Sequence, residues 1–328
     1  MGPALSVGLG CVAGLPARPG GVTSGTLATR ALQAAEPVEA AVDVARMRAT
    51  LATLTGKSPL APALTIPERG SVEGRALTRR FLRESLTAMG YAVEAHGYRQ
   101  NGENLIARLP ASRATAEWIL VGAHMDSVRN AGADDNGSGS TAVLEAAAVM
   151  QGLADRQVNV MFAWFDEEEL GLVGSEAMAR DFRKQGLKLT SVHTVDMLGY
   201  DADKDRKVEI ERPDGGLWDY YQMINKTHAL GLPLARTNSG STDHVAFRDE
   251  GFTAVGLCEE WAGGDTTPHY HRKTDAFDTV DVEYLAKGTQ LLVAAVADLA
   301  RKVPAPPATK LIPHDRFPGR DRHFHGDH

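Results

Sequence analysis

Apolar and polar positions along this chain follow two periods, and the switches between them mark out the elements. Residues 42–56 (VDVARMRATLATLTG) space their apolar side chains at helical intervals and end at a glycine. Residues 71–90 (SVEGRALTRRFLRESLTAMG) open on a serine, set Leu77, Phe81, Leu82, Leu86 and Met89 on one stripe, and stop at Gly90. That combination predicts a capped amphipathic helix. Short apolar runs follow and read as strands: YAVEAHGY, NLIARLP, EWILVGAH, NVMFAWFD, SVHTVDML, KVEIERP and FTAVGLCEE. Between them, STAVLEAAAVM, GLWDYYQMINKTHALG and VDVEYLAKGTQLLVAAVADLARK read as helices. Unbroken apolar strands such as WILVGA and VMFAW are expected where a sheet is covered on both faces. The pattern predicts an α/β fold, a three-layer sandwich around a central, mostly parallel or mixed sheet.

Composition narrows the picture. A chain of 328 residues, 43% hydrophobic and 23% charged, is ordinary globular material with enough length for one sizeable core. The alternation places a single domain at 42–302, without internal repeats. Residues 1–41, rich in Gly, Ala, Pro and Thr, are expected to form a disordered leader or an export segment. The first basic residue there, Arg18, follows the short apolar stretch instead of preceding it, the reverse of a secretory signal, so the sequence leaves secretion open. Residues 303–328 read as a Pro/His-rich disordered tail whose His323, His325 and His328 are solvated. A net charge of −7 and a pI near 5.9 argue against nucleic acid or an anionic membrane surface as the main partner. No apolar run reaches the ~18–20 residues that span a bilayer. Two cysteines, Cys11 and Cys258, cannot build a disulfide framework, and Cys258 in TAVGLCEE reads as a small buried hydrophobe. Oligomeric state is left open.

Five segments carry candidate metal chemistry: GAHMDSV with His124, GADDNGSGS with Asp134, FAWFDEEELGLVGS with Glu168 and Glu169, TVDMLGY with Asp196, and PHYHRKTD with His271. Two imidazoles and three carboxylates, with one carboxylate to spare, suit a pair of divalent metals and a general base. His124, Glu168, Glu169 and Asp196 each lie just past the end of an expected core strand, where ligands bind in open α/β sheets. In His124-Met125-Asp126 the aspartate can accept the imidazole hydrogen bond that faces away from a metal. A buried histidine satisfied by its neighbour gives the same pattern, so the motif is weak alone. Asp134 and Asp135, adjacent in a Gly-rich loop, are costly to bury without a cation. The expectation is that Asp134 bridges two metals while Ser138 and Ser140 cap the next helix. GSGSTA also fits a degenerate dinucleotide fingerprint, but an acidic pair just upstream would repel a pyrophosphate. The run Asp166 to Glu169 is held between two apolar segments, so its charges need partners. One glutamate on a metal and its neighbour facing a water would supply them. A lone Asp196 is equally a turn residue, and spacing does not separate His271 from His269. The chain has no H-E-x-x-H, G-x-S-x-G, C-x-x-C or P-loop.

Together and in this order, the segments resemble the co-catalytic di-zinc aminopeptidase family, the bacterial leucyl aminopeptidase type related to glutamate carboxypeptidase. The resemblance covers about residues 42–302, GENLIARLP and STDHVAFRDEGFTAV included. It implies the zinc-exopeptidase-like (phosphorylase/hydrolase-like) fold and two zinc ions. His124, Asp134 and Asp196 would hold one ion, and Asp134, Glu169 and His271 the other. Glu168 would be the general base acting on a metal-activated water, Tyr270 a hydrogen-bond donor to the developing oxyanion, and Asp126 the partner of His124. The peptide bond between Asp134 and Asp135 would be cis. The implied activity is removal of N-terminal residues, those with apolar side chains, from peptides, and the implied location is secreted or periplasmic. Segments near Trp261, Phe252 and Tyr200 are expected to shape the pocket. Some members place an arginine before the S-D-H segment to bind the substrate terminus. Here Ser241 and Thr242 precede Asp243, so terminus recognition must differ, and carboxypeptidase action is the alternative. N-acyl amino acid amidohydrolases share similar motifs but insert a dimerisation domain before the last histidine, for which the chain has no room. A glutaminyl cyclase would use one zinc, and a non-enzymatic receptor-like domain would have replaced a ligand.

Overall fold

The computed structural model of the chain describes residues 37–302. Most of the expected leader, with Cys11, and the whole expected tail lie outside the described residues. Residues Val38–Ala41, assigned above to the leader, form a 3-10 turn with Val38 packed on the core. Helix α1 (Val44–Leu54) starts where Asp43 accepts from the amides of Ala45 and Arg46, leaving fewer unpaired N–H groups at the helix start. Helix α2 (Val72–Ala88) starts at Ser71, whose hydroxyl accepts from Gly74 N at 3.0 Å. Its inner face differs from the expected stripe. Leu82 and Leu86 are buried, but so are Gly74, Arg75 and Thr78, whereas Leu77 is only partly covered. Arg75 turns inward because two buried carboxylates wait there, as described below.

The strands are β1 (Val93–Arg99), β2 (Gly102–Leu109), β3 (Glu117–His124), β4 (Asn159–Phe165), β5 (Lys188–Val195), β6 (Val208–Glu211), β7 (Leu234–Thr237) and β8 (Ala254–Cys258). They form one sheet in the order β1-β2-β4-β3-β5-β8-β6-β7. The inner four, β4, β3, β5 and β8, run parallel. β2 and β6 join them antiparallel, β1 antiparallel to β2, and β7 parallel to β6. The remaining helices are α3 (Gly139–Gln151), α4 (Val173–Lys184), α5 (Leu217–Thr227), α6 (His244–Asp249) and α7 (Val282–Arg301). β7, α4 and α6 were not anticipated. α4 carries Met178 and Phe182 inward at helical spacing amid charges, and α6 and β7 are too short for a period to show.

Successive strand residues point to opposite faces, and the core divides accordingly. Val121, Phe162 and Val255 face α1, α2, α3, α5 and α7, meeting Leu51, Leu82, Leu144, Tyr221 and Leu292. Leu120, Met161 and Val192 face α4 and α6, meeting Met178, Phe182 and Phe247. Each such buried Leu, Val or Phe contributes about 1.5–3 kcal/mol. The result is the expected three-layer α/β sandwich with a mixed sheet. Helix α7 fixes the segment after β5 closely: a Cβ on Gly288 would lie 2.3 Å from Leu198 Cδ2. Cys258 is buried, as expected. No helix among the described residues is long and apolar enough to cross a membrane.

Candidate metal centre

The C-terminal ends of the parallel strands gather the candidate residues. His124 is the last residue of β3, Glu168 and Glu169 lie in a 3-10 turn (Glu168–Leu170) after β4, and Asp196 follows β5. The turn Ala133–Ser138 before α3 brings Asp135, and the loop between β8 and α7 brings His271.

Their donor atoms interlock. His124 Nε2 lies 3.2 Å from Asp196 Oδ1 and 3.3 Å from Asp135 Oδ1. His271 Nε2 lies 3.2 Å from Asp135 Oδ2 and 3.0 Å from Glu169 Oε2. Asp135 thus turns one oxygen to each histidine. Two three-residue groups result, His124–Asp135–Asp196 and Asp135–Glu169–His271, each with donor atoms within 4.8 Å of one another. Donors bound to one zinc at ~2.0–2.2 Å stand only a little over ~3 Å apart. No Lys or Arg pairs directly with Asp135, Glu169 or Asp196 among the described residues, and the ion-pair contacts these carboxylates make are with the two imidazoles. The donor set therefore fits two divalent cations sharing one carboxylate.

This corrects the expected bridge. Asp134 does not enter either group: its carboxyl points inward, beside Gly199 and Glu259. Burial pushes both Asp134 and Glu259 well above the usual carboxylate range, and Asp134 raises Glu259 further. Neighbouring side chains diverge here because Asp275 accepts from both amides, Asp134 N at 2.8 Å and Asp135 N at 3.1 Å. With the backbone held flat against Asp275, one side chain goes in and the next goes out over the sheet edge. The cis peptide bond likewise lies one residue further on, between Asp135 and Asn136. The serines do not cap α3. Ser138 donates to Asp134 O and Ser140 to His124 O, whereas Asn136 Oδ1 accepts from Gly139 N at 2.8 Å.

Asp126 holds the rest of the rim. It accepts from Glu168 N at 3.1 Å and from Glu169 N at 3.2 Å, and its Oδ1 lies 3.4 Å from His124 Nδ1. One carboxylate therefore orients both the histidine and the paired glutamates. The acidic run sorts by direction. Asp166 meets Arg75 Nε and Arg79 Nη1 at 2.9 Å each. Glu167 meets Arg75 Nη2 at 2.9 Å, Arg99 Nε at 2.7 Å and the Tyr98 hydroxyl at 2.8 Å. Glu168 and Glu169 turn the opposite way, into the site. Left-handed backbone at Glu167 (φ 61°), Met197 (φ 56°) and His271 (φ 57°) accompanies these turns, and for such side chains it is strain that surrounding contacts must hold in place.

Glu168 Oε2 stands 3.9 Å from His124 Nε2, outside the closest pairs. Burial, reinforced by Asp196, Asp243 and Glu169 against the opposing pull of His124, holds its carboxyl well above the ordinary value. Burial and Asp135 push Glu169 up to about 7. Tyr270 stacks on His271 with centroids 3.8 Å apart and meets Trp261 edge-on. His269 is engaged elsewhere, 3.0 Å from Thr274 Oγ1 and edge-on to Tyr200. A cavity of about 110 Å3 opens beside the rim, lined by Glu168, Met197, Glu211, Trp261 and Tyr270 among others, with no Lys or Arg in its wall. Trp261 shapes it as expected. The segment before Tyr200 also lines it, through Met197, whereas Phe252 is core packed on Phe247.

Asp275, Arg69 and Glu211 also belong to the site, and no sequence signal marks their roles. Arg69 is fully buried and donates to the carbonyls of Met125, Leu54, Ala131 and Gly132 beneath the acidic rim. Asp275 closes the PHYHRKTD segment and Glu211 lies in the KVEIERP strand, but nothing local in either pattern marks its role, and Arg69 falls in no segment singled out.

Known proteins bear on this geometry. The model of peptidase family M28 matches residues 104–296, which hold every residue of the two groups. Leucine aminopeptidase 1 of Arthroderma otae is 30% identical over 246 residues, covering 66% of this chain and 64% of that protein. The match therefore spans a little under two thirds of that curated relative. The LapA aminopeptidase of Legionella pneumophila superposes with a TM-score of 0.71 at 24% identity, over 81% of this chain and 75% of the other. BSAP, a zinc aminopeptidase from Bacillus subtilis, gives a TM-score of 0.56 at 27% identity, over 61% and 50% of the two chains. A family match over more than half of the chain, falling on the segments that converge at this rim, makes the protein a member of peptidase family M28.

Proposed function

We propose that this chain is a zinc-dependent aminopeptidase that hydrolyses the first peptide bond of substrates with a free N-terminus. The observation carrying this reading is Asp135, with one oxygen on each of two histidines that each bear a further carboxylate. His124, Asp135 and Asp196 would hold one ion, and Asp135, Glu169 and His271 the other. Bound zinc supplies a Lewis acid that polarises the scissile carbonyl and brings the pKa of water from ~15.7 towards ~7. Glu168 accepts a proton from the attacking water and returns it to the amine as the C–N bond breaks. Burial shifts its carboxyl upward, the direction a general base requires. Tyr270 offers its hydroxyl to the carbonyl oxygen as charge develops there.

Charge favours the amino end. The cavity wall holds Asp135, Glu168, Glu169, Asp196 and Glu211 and no basic residue other than His271. With Asp135, Glu169 and Asp196 taken by the ions, Glu168 and Glu211 are the carboxylates left to attract a substrate ammonium, and the wall offers no Lys or Arg to pair a C-terminal carboxylate. The test is a panel of peptides, N-terminally free and N-acetylated, with products identified by mass. Loss of one residue at a time from free peptides, no cleavage of acetylated ones, and inactivation by a chelator with recovery on zinc are expected. Trimming from the carboxyl end, or activity indifferent to chelation, would overturn the reading.

A further inference from the structure

Glu211 ends β6 with its side chain 1% exposed, yet it lines the cavity beside Asp196 and Cys258. Its carboxylate occupies the space over β8 that Gly256 leaves open: a Cβ there would lie 2.7 Å from Glu211 Oε2. Its partners are neutral. Thr242 Oγ1 donates to Oε2 at 3.4 Å, and Ser239 adds a second hydroxyl. His244 Nδ1 is 3.9 Å away, and burial lowers that imidazole to about 3, so it brings no charge. Arg212, next in the chain, is committed to Asn238 O at 2.8 Å. No Lys or Arg pairs with Glu211 among the described residues. Burial, with Asp196 and Glu209 nearby, pushes Glu211 up to about 7. A carboxyl held at the cavity wall by hydroxyls alone is costly as an anion until a cation joins it. Met197 and Trp261 in the same wall offer apolar surface along which methylenes can lie.

We infer that Glu211 selects the substrate side chain, pairing with the ammonium or guanidinium of an N-terminal Lys or Arg. This rests on the aminopeptidase reading and departs from the apolar preference the family resemblance implies. Lysine and norleucine share a four-carbon side chain and differ in the terminal ammonium, which makes them the decisive pair. The zinc-loaded full chain is assayed near neutral pH on the p-nitroanilides of Lys, Arg, norleucine and Leu. The expected kcat/KM for Lys exceeds that for norleucine by roughly 10–100-fold, the worth of a hydrogen bond between charged groups. Glu211→Gln should collapse that ratio towards one, chiefly through KM. Equal or better cleavage of norleucine by the parent enzyme overturns the inference, whether or not the variant folds. So does a variant in which all four substrates fall together with the ratio kept, which would assign Glu211 to the substrate's α-ammonium. Absence of cleavage of all four by the parent enzyme is a different failure, that of the aminopeptidase reading itself.

Discussion

Asp134 and Asp135 are chemically alike and adjacent, and substitution separates them. Asp135→Asn keeps the shape but removes the charge that both imidazoles face. It should lower bound zinc below two ions per chain by elemental analysis, with activity falling alongside. Asp134→Asn should retain both ions, since Asp134 faces Glu259 and not the histidines. The opposite pattern would return the bridge to Asp134. Glu168 sits outside the closest donor pairs, so Glu168→Gln should keep full zinc content while kcat falls ~10²–10⁴-fold, as for loss of a general base. A glutamine variant with parental turnover would remove Glu168 from proton transfer.

Between elements, the contact that matters most runs from α2 to the turn after β4. Arg75, 5% exposed, is shared by Asp166 and Glu167, 0% and 3% exposed. Glu168 and Glu169 follow directly in the chain, so this ion network anchors the turn that carries them. Arg75→Met leaves Asp166 with Arg79 and Glu167 with Arg99 and should cost about 1–3 kcal/mol in urea unfolding, the range for removing one hydrogen-bond partner of a buried polar group. A loss within the scatter of surface substitutions would show the network to be dispensable. The same contact explains why the α2 stripe was only partly legible. Hydrophobic spacing registers Leu82 and Leu86, but an arginine inside a helix reads as solvent-facing until its distant partners are known.

For the molecule as a whole, the two candidate ions tie together segments from β3, β4, β5, the turn before α3 and the loop before α7. Ligands that bind only the folded chain stabilise it by mass action. Chelation should therefore lower the melting temperature by several degrees, with zinc and not magnesium restoring it, as scanning calorimetry would read. Unchanged melting would mean that the rim is rigid without metal. The strand ends were readable for a physical reason: a parallel sheet buried on both faces needs continuous apolar runs, and polar residues directly after them lie at its carboxyl edge.

What composition and order along the chain could fix were the layered α/β class, the strand ends and the residue types at the rim, because periodicity and strand termination are local properties. His124, Glu168, Glu169, Asp196 and His271 all came from such signals together with the family resemblance. The choice of Asp135 over Asp134 rests on Asp275, about 140 residues downstream in sequence, accepting two amides at once. Arg69 under the rim and Glu211 over Gly256 are likewise set by contacts between distant segments. Which of two equivalent side chains turns inward depends on a backbone orientation that exists only once those segments have met.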